Sequence, residues 1–136
     1  MDSRPNGERR FLPAERKAIT HAFDLGQFRF YLTVGLYPDG SPGELFLKAT
    51  DRGQVTGDAS HGSFANGMCD AFGIAFSTAL QYGAPIDHLC RRLAFMKFEP
   101  QEPLGSGPFG TIHSPMDYIA RWLEKQFCTT APSFPI

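Results

Sequence analysis

From Phe28 to Leu36 apolar and polar positions alternate: Phe28, Phe30, Leu32, Val34 and Leu36 against Arg29, Tyr31, Thr33 and Gly35. A period of two is that of a strand with one buried face. Ala18 to Phe23 predicts a shorter strand before it, with Asp24-Leu25-Gly26-Gln27 as the turn between them. After it, Pro38-Asp39-Gly40 supplies turn chemistry, Pro fixing φ and Gly accepting a positive φ. Ser41-Pro42-Gly43 lengthens that link, and Glu44 to Ala49 returns as an antiparallel strand. Links this short predict a meander of two or three strands.

The period then changes. Over Phe64 to Tyr82, Met68, Ala71, Phe72, Ala75, Ala79 and Tyr82 recur at helical spacing, while Ile74, Phe76 and Leu80 add a second apolar face. A helix apolar on most sides is expected to be buried on most sides. Gly67 and Gly73 cost helix propensity, on the order of 1 kcal/mol each, which close packing against a neighbouring element would offset. Gly83 suits a C′ position and Pro85 the first turn of the next helix, whose Ile86, Leu89, Cys90 and Leu93 keep helical spacing to about Phe95. Residues 50–63, rich in Gly, Asp and Ser, and 98–112, rich in Pro and Gly, read as loops. Ser114-Pro115-Met116-Asp117 reads as an N-cap, Pro at N1 and an acid at N3, opening a helix to about Phe127 that buries Ile119, Trp122, Leu123 and Phe127. The sum is an α+β fold: a small antiparallel sheet of two to three strands packed on one face by three helices, the helix at about 64–82 being central. Residues 1–15 form an irregular basic arm, 16–128 a single domain, and 129–136 an extended tail.

Composition narrows the function classes. A chain of 136 residues with 42% hydrophobic and 20% charged residues is an ordinary one-domain globule. Thirteen Phe predict an aromatic-rich core. The formal net charge of −1 gives nucleic-acid binding no support. The one basic patch, Arg4, Arg9, Arg10, Arg16 and Lys17, reads as a solvated arm. No apolar run is of bilayer length, and no secretory hydrophobic region opens the sequence. With three cysteines and no C-x-x-C pair, free thiols in a reducing cytoplasm are expected.

The chemistry-bearing residues are few and scattered. His21, His61, His88, His113, Cys69 and Cys90 are the soft ligands, but no closely spaced pairs of the zinc type occur, so no metal is assigned. Cys128 falls at a helix C-terminus, where the dipole disfavours a thiolate. Gly105-Ser106-Gly107-Pro108-Phe109-Gly110 is Gly-rich but lacks the Lys of a phosphate-binding P-loop. Asp58-Ala59-Ser60-His61 places three useful groups side by side in a loop, which is not triad geometry. No catalytic residue and no cofactor are assigned.

Five segments, taken in order, are similar to one known module. They are Arg9-Arg10-Phe11-Leu12-Pro13, Tyr37-Pro38-Asp39-Gly40, Gly43-Glu44-Leu45-Phe46-Leu47, Leu80-Gln81-Tyr82-Gly83-Ala84-Pro85, and Phe95 to Pro100. The chain resembles the TSCPD domain, found near the C-terminus of adenosylcobalamin-dependent (class II) ribonucleotide reductases and also as a free-standing small protein. The resemblance spans roughly residues 9–127. It implies a domain outside the reductase's catalytic barrel, so no catalytic residue carries over. The Thr-Ser-Cys-Pro-Asp signature falls at His113 to Asp117. Ser114 and Asp117 match it, while Pro115 stands at the cysteine position and Met116 at the proline position.

Three readings follow. The resemblance implies a non-catalytic accessory or regulatory module of deoxynucleotide metabolism, acting through protein or nucleotide contacts with a ribonucleotide reductase or another nucleotide-pathway protein. The alternative is a stand-alone small-ligand or nucleotide-binding protein using the 50–63 and 98–112 loops, with Arg29, Lys48, Arg52, His61, Ser106 and His113 as its contacts. An enzyme with His61 or His113 as base is the third. A sheet covered on one face would leave Arg29, Tyr31, Thr33 and Phe46 on the other, a surface suited to a homodimer or another partner.

Overall fold

The computed structural model describes residues 7–52, 63–102 and 109–128. The order of elements is β1 (Ala18–Leu25), β2 (Phe28–Leu36), β3 (Pro42–Asp51), α1 (Phe64–Gln81), α2 (Ile86–Leu93) and α3 (Pro115–Phe127). A three-stranded antiparallel sheet in the order β1-β2-β3 and three helices make the expected α+β fold. The chain divides into two compact units, residues 1–84 and 85–136.

In the first unit the alternation of β2 sets both faces. Phe30, Leu32 and Val34 are buried, as are Phe23 and Leu25 of β1 and Leu45, Leu47 and Ala49 of β3. Cross-strand register pairs Phe23 with Phe30 and Leu32 with both His21 and Leu47. β1 runs two residues past the expected Phe23. It reaches Leu25 because the link to β2 is only Gly26-Gln27, with Gly26 at φ 60°, the glycine-first pattern of a tight hairpin. The β2–β3 link is built as its residues suggest. Gly40, at φ 88°, donates its N–H to the Tyr37 carbonyl at 2.8 Å, and the Asp39 carboxylate accepts from the Ser41 N–H and hydroxyl at 2.9 and 2.6 Å.

α1 does not lie as its apolar composition suggests. Its buried residues are Cys69, Gly73, Phe76, Leu80 and Gln81, whereas Phe64, Met68, Ile74 and Tyr82 are exposed. The expectation of burial on most sides is therefore corrected. One stripe of α1 packs on the edge strand β3, and beside its buried apolar residues that stripe carries Asn66, Ser77 and Gln81. The Ser77 hydroxyl accepts from the Leu45 N–H at 2.8 Å and donates to the Leu45 carbonyl at 3.2 Å. The Asn66 side-chain oxygen accepts from the Ala49 N–H at 3.1 Å, and the Gln81 amide donates to the Gly43 carbonyl at 2.9 Å. These are outward-facing groups of an edge strand, which must be paired or covered. A Cβ on Gly73 would lie 2.9 Å from the Leu45 carbonyl oxygen, whereas one on Gly67 would meet nothing within 4 Å. Of the two helix glycines, only Gly73 is there for close approach.

Ser63 caps the start of α1, its hydroxyl accepting from the Asn66 N–H. At the other end, the Gly83 N–H bonds the Leu80 carbonyl and the Ala84 N–H the Ala79 carbonyl. With Gly83 at φ 100°, this is the double bond of a Schellman stop. The described part of the basic arm keeps its exposure but is also pinned, through Arg9, Arg10 and Arg16. Arg9 donates to the Gln81 side-chain oxygen at 2.7 Å, and the Arg10 N–H to the Gln81 carbonyl at 2.8 Å. The Arg10 guanidinium sits 3.7 Å over the Tyr37 ring, and Tyr37 returns its hydroxyl to the Arg10 carbonyl at 2.7 Å. Arg16 forks onto both carboxylate oxygens of Glu44.

In the second unit α2 packs against α3. Pro85 is the N-cap of α2 rather than its first helical residue, and α2 ends at Leu93, short of Phe95. α3 begins as expected, with Pro115 in its first turn and Ser114 as cap. The 129–136 tail lies outside the described residues, as does most of the 50–63 loop.

The two α1 glycines therefore give substitutions of opposite sign. Gly67→Ala should raise stability in urea by up to about 1 kcal/mol. Gly73→Ala, with the same propensity gain, should lower it by about 1–3 kcal/mol through overpacking. Stabilisation by both would contradict the contact between α1 and β3.

Candidate functional site

The open face of the sheet carries β-positions of opposite phase to the core. Across β1 and β2 they align Thr20 with Thr33, Ala22 with Tyr31 and Asp24 with Arg29. Across β2 and β3 they align Tyr31 with Lys48, Thr33 with Phe46 and Gly35 with Glu44. At one end Arg16 covers Glu44, which is only 9% exposed, and Gly35 leaves the room that the Glu44 side chain fills. The middle of the face presents Phe46, 57% exposed, beside Tyr31 at 38%. Thr20 and Thr33 share a hydroxyl hydrogen bond of 3.1 Å across the strands. The Arg29, Tyr31, Thr33 and Phe46 surface expected from the alternation is therefore present, apolar in the middle and polar at its rim.

Of the residues expected to meet a ligand, Arg29 and Lys48 stand on this face. Arg29 is already committed. It forks onto Asp24 at 2.7 and 3.0 Å, a hydrogen-bonded pair that raises the guanidinium pKa and lowers that of the carboxyl. Arg52 donates from its side chain to the Gly26 carbonyl at 3.1 Å and from its N–H to the Gln27 carbonyl at 2.7 Å, tying the end of β3 to the β1–β2 turn. His61 and Ser106 lie outside the described residues. His113 belongs to the second unit, where its ring lies 5.6 Å from that of Phe95. The described members of the expected set are thus divided between two units.

The second unit is organised around a buried carboxylate. Asp117 is fully buried and receives four hydrogen bonds. The Phe95 N–H reaches Oδ1 at 2.7 Å and the His113 N–H reaches Oδ2 at 2.9 Å. Arg121, one helical turn on, donates from Nε to Oδ1 at 3.0 Å and from Nη2 to Oδ2 at 2.6 Å. Two further Arg121 donors go to the carbonyls of Phe109 and Thr111, and its guanidinium lies 4.7 Å over the Phe95 ring. A carboxylate with a bidentate Arg partner and two backbone donors has its lone pairs filled, the condition under which a buried charge is tolerated. Phe95 has φ 65°, a left-handed conformation that a bulky residue rarely adopts. Its N–H on Asp117 and its ring under Arg121 hold it there.

Ser114 completes this knot. Its hydroxyl accepts from the Asp117 N–H at 3.0 Å, capping α3. The segments ahead of the helix are drawn together by the same node. The Phe98 N–H bonds the His113 carbonyl, and Glu102 and Ile112 exchange backbone hydrogen bonds at 2.7 and 2.9 Å. Arg121 was not among the residues picked out from the sequence. The signal was present, since an acid at N3 followed four residues later by Arg is an i,i+4 pair on one helix face.

The thiols are quiet. Burial pushes Cys69 up to about 11 and Cys90 up to about 12, and burial together with Glu124 also raises Cys128. Such thiols carry little thiolate at neutral pH. Among the described residues no group of three His, Cys, Asp or Glu is placed to hold a metal ion, and no helix is long and apolar enough to cross a membrane.

A profile of the TSCPD domain matches residues 5–127. Over 124 residues the chain is 39% identical to a vitamin B12-dependent ribonucleotide reductase of Rhodopirellula baltica, covering 91% of this chain and 11% of that protein. A reductase of the same name from Streptomyces avermitilis is 36% identical over 119 residues, 88% of this chain and 11% of the relative. That of Bradyrhizobium diazoefficiens is 36% identical over 121 residues, 88% of this chain and 9% of the relative. The chain thus spans about a tenth of the length of these relatives. No solved structure matches it.

The Asp117 node yields a stability prediction. Asp117→Asn keeps the shape but leaves Arg121 without its counter-charge, and should cost about 3–5 kcal/mol in urea denaturation. Ser114→Ala, which removes a cap, should cost about 1 kcal/mol. An Asp117→Asn protein within experimental error of wild type would show that the node does not hold the second unit together.

Proposed function

This chain belongs to the TSCPD domain family, and from that premise we propose that it is a non-catalytic accessory or regulatory module acting through protein contacts in deoxynucleotide metabolism. Its partner in this reading is a vitamin B12-dependent ribonucleotide reductase, the protein in whose relatives the same module makes up about a tenth of the length. The observation that carries the reading is the match itself: the module spans residues 5–127 of this chain, and the relatives that carry it are named as vitamin B12-dependent ribonucleotide reductases. The use of the polar groups supports it. Asp117 and Arg121 are saturated by one another and by backbone, Glu44 by Arg16, and Arg29 by Asp24. Side chains spent on holding the fold are not available to move protons or bind substrate.

The contact surface in this reading is the open face of the sheet. Phe46 and Tyr31 form its apolar middle, Thr20 and Thr33 its adaptable polar part, and Lys48 and the Asp24–Arg29 pair its rim. An apolar centre within a polar rim is the ordinary anatomy of a protein interface, and an exposed aromatic at the centre is the usual energetic anchor.

The test is direct binding of the chain to a B12-dependent ribonucleotide reductase from the same genome, by calorimetry or biolayer interferometry. Binding should weaken at least about tenfold, ~1.4 kcal/mol, in Phe46→Glu, whose side chain is on the surface and whose melting temperature should be unchanged. Absence of binding to the reductase would overturn the reading. So would thermal stabilisation by a nucleoside triphosphate with no reductase binding, since a ligand that binds the folded state raises its stability.

A further inference from the structure

The outward side of α1 has a second pattern. Phe64, Met68, Ala71, Ala75, Thr78 and Tyr82 are all exposed, and they follow one another at spacings of four, three, four, three and four. That is an a/d heptad seam, the pattern by which one helix packs lengthwise on another. In a helix that already gives its opposite stripe to β3, a second regular apolar stripe has no role within the first unit.

We propose that the seam binds a second copy of the chain, α1 packing antiparallel on α1 about a two-fold axis at Gly73. The sequence is self-complementary about that point. Residues equidistant from Gly73 pair as Phe64 with Tyr82, Met68 with Thr78, and Ala71 with Ala75, large side chains at the ends and small ones in the middle. Each pair joins a d position to an a position, as antiparallel helices require, and a two-fold interface uses the same patch on both partners. The small central pair lets the axes come within about 8 Å, the near end of the usual range.

Three further observations favour a second copy over another occupant. The seam carries no charge, and Asp70, the only charged residue of α1, lies about 120° round the helix from it, so two copies meet without repulsion. Thr78, the polar partner of Met68 in the seam, donates its hydroxyl to the Ile74 carbonyl at 2.7 Å, which leaves its methyl group for the contact and no unpaired donor. The area also suffices. Phe64 is 83%, Met68 56% and Tyr82 50% exposed, and Ala71, Ala75 and Thr78 between them are exposed as well. At roughly 200 Å² per large side chain the three large residues supply about 400 Å² per copy, and the smaller three bring the pair to about 1,000 Å², the lower bound for a specific interface.

Sedimentation equilibrium at high micromolar concentration tests this. The chain should show twice its 15.1 kDa mass, and Ala75→Glu should be monomeric with an unchanged circular dichroism spectrum and melting temperature. Asp70→Lys, off the seam, should remain dimeric. In a Cys128→Ala background, mixing Ala71→Cys with Ala75→Cys protein should give a disulfide-linked pair under mild oxidation far faster than either variant alone. A monomer at these concentrations, a dimer that survives Ala75→Glu, or faster self-linking of Ala71→Cys would each overturn the proposal. Because Phe46→Glu and Ala75→Glu lie on different surfaces, loss of reductase binding and loss of the dimer are separately readable.

Discussion

The first unit depends on how the outer edge of β3 is satisfied. An edge strand presents a row of unpaired N–H and C=O groups, and no fourth strand among the described residues takes them. A helix has no backbone donors to lend, so side chains must serve instead. Two geometries make the match. Alternate residues of a strand are about 6.8 Å apart and residues four apart on a helix about 6 Å. Ser77 and Gln81, four apart, therefore meet Leu45 and Gly43, two apart, and Asn66 further back meets Ala49. Gly73 must lack a side chain for the helix to come this close.

That constraint sets which side of α1 faces inward. Its inward stripe holds Asn66, Ser77 and Gln81 because backbone groups have to be met there, while Phe64, Met68 and Ile74 are left outside. Gln81 also receives the N-terminal arm, taking Arg9 on its side chain and the Arg10 N–H on its carbonyl. The arm, the helix and the edge strand are thus joined through one residue. The outer apolar stripe is then available for association, and its regular spacing is what separates it from scattered surface hydrophobics, which are common.

Much of the fold was legible. The period of two in β2, the Pro-Asp-Gly turn, the glycine stop at Gly83 and the Ser114–Asp117 cap are local features, and local chemistry decides them. α1 is less buried than its composition suggests because hydrophobicity alone does not say which side of a helix meets a sheet edge. Asn66 and Ser77 are visible as partners only once β3 lies alongside. Arg9, Arg10 and Arg16 show no partner in the sequence for the same reason, since Gln81, Tyr37 and Glu44 are distant along the chain. In the second unit Ser114 and Asp117 stand out in the sequence as a helix cap with an acid at N3 and again as the two matching signature positions; the rest of their role comes from geometry. Asp117 gathers two backbone N–H groups and Arg121, and Ser114 caps its helix, which gives both matching signature positions a structural role.

The most direct test of the edge arrangement is native-state amide hydrogen exchange of β3, read residue by residue. The Leu45 and Ala49 N–H groups should exchange as slowly as those of β2, because each is bonded to an α1 side chain. Ser77→Ala should speed Leu45 selectively while leaving Ala49 slow. Rapid exchange of both in the wild-type chain, at rates typical of an open sheet edge, would contradict the account.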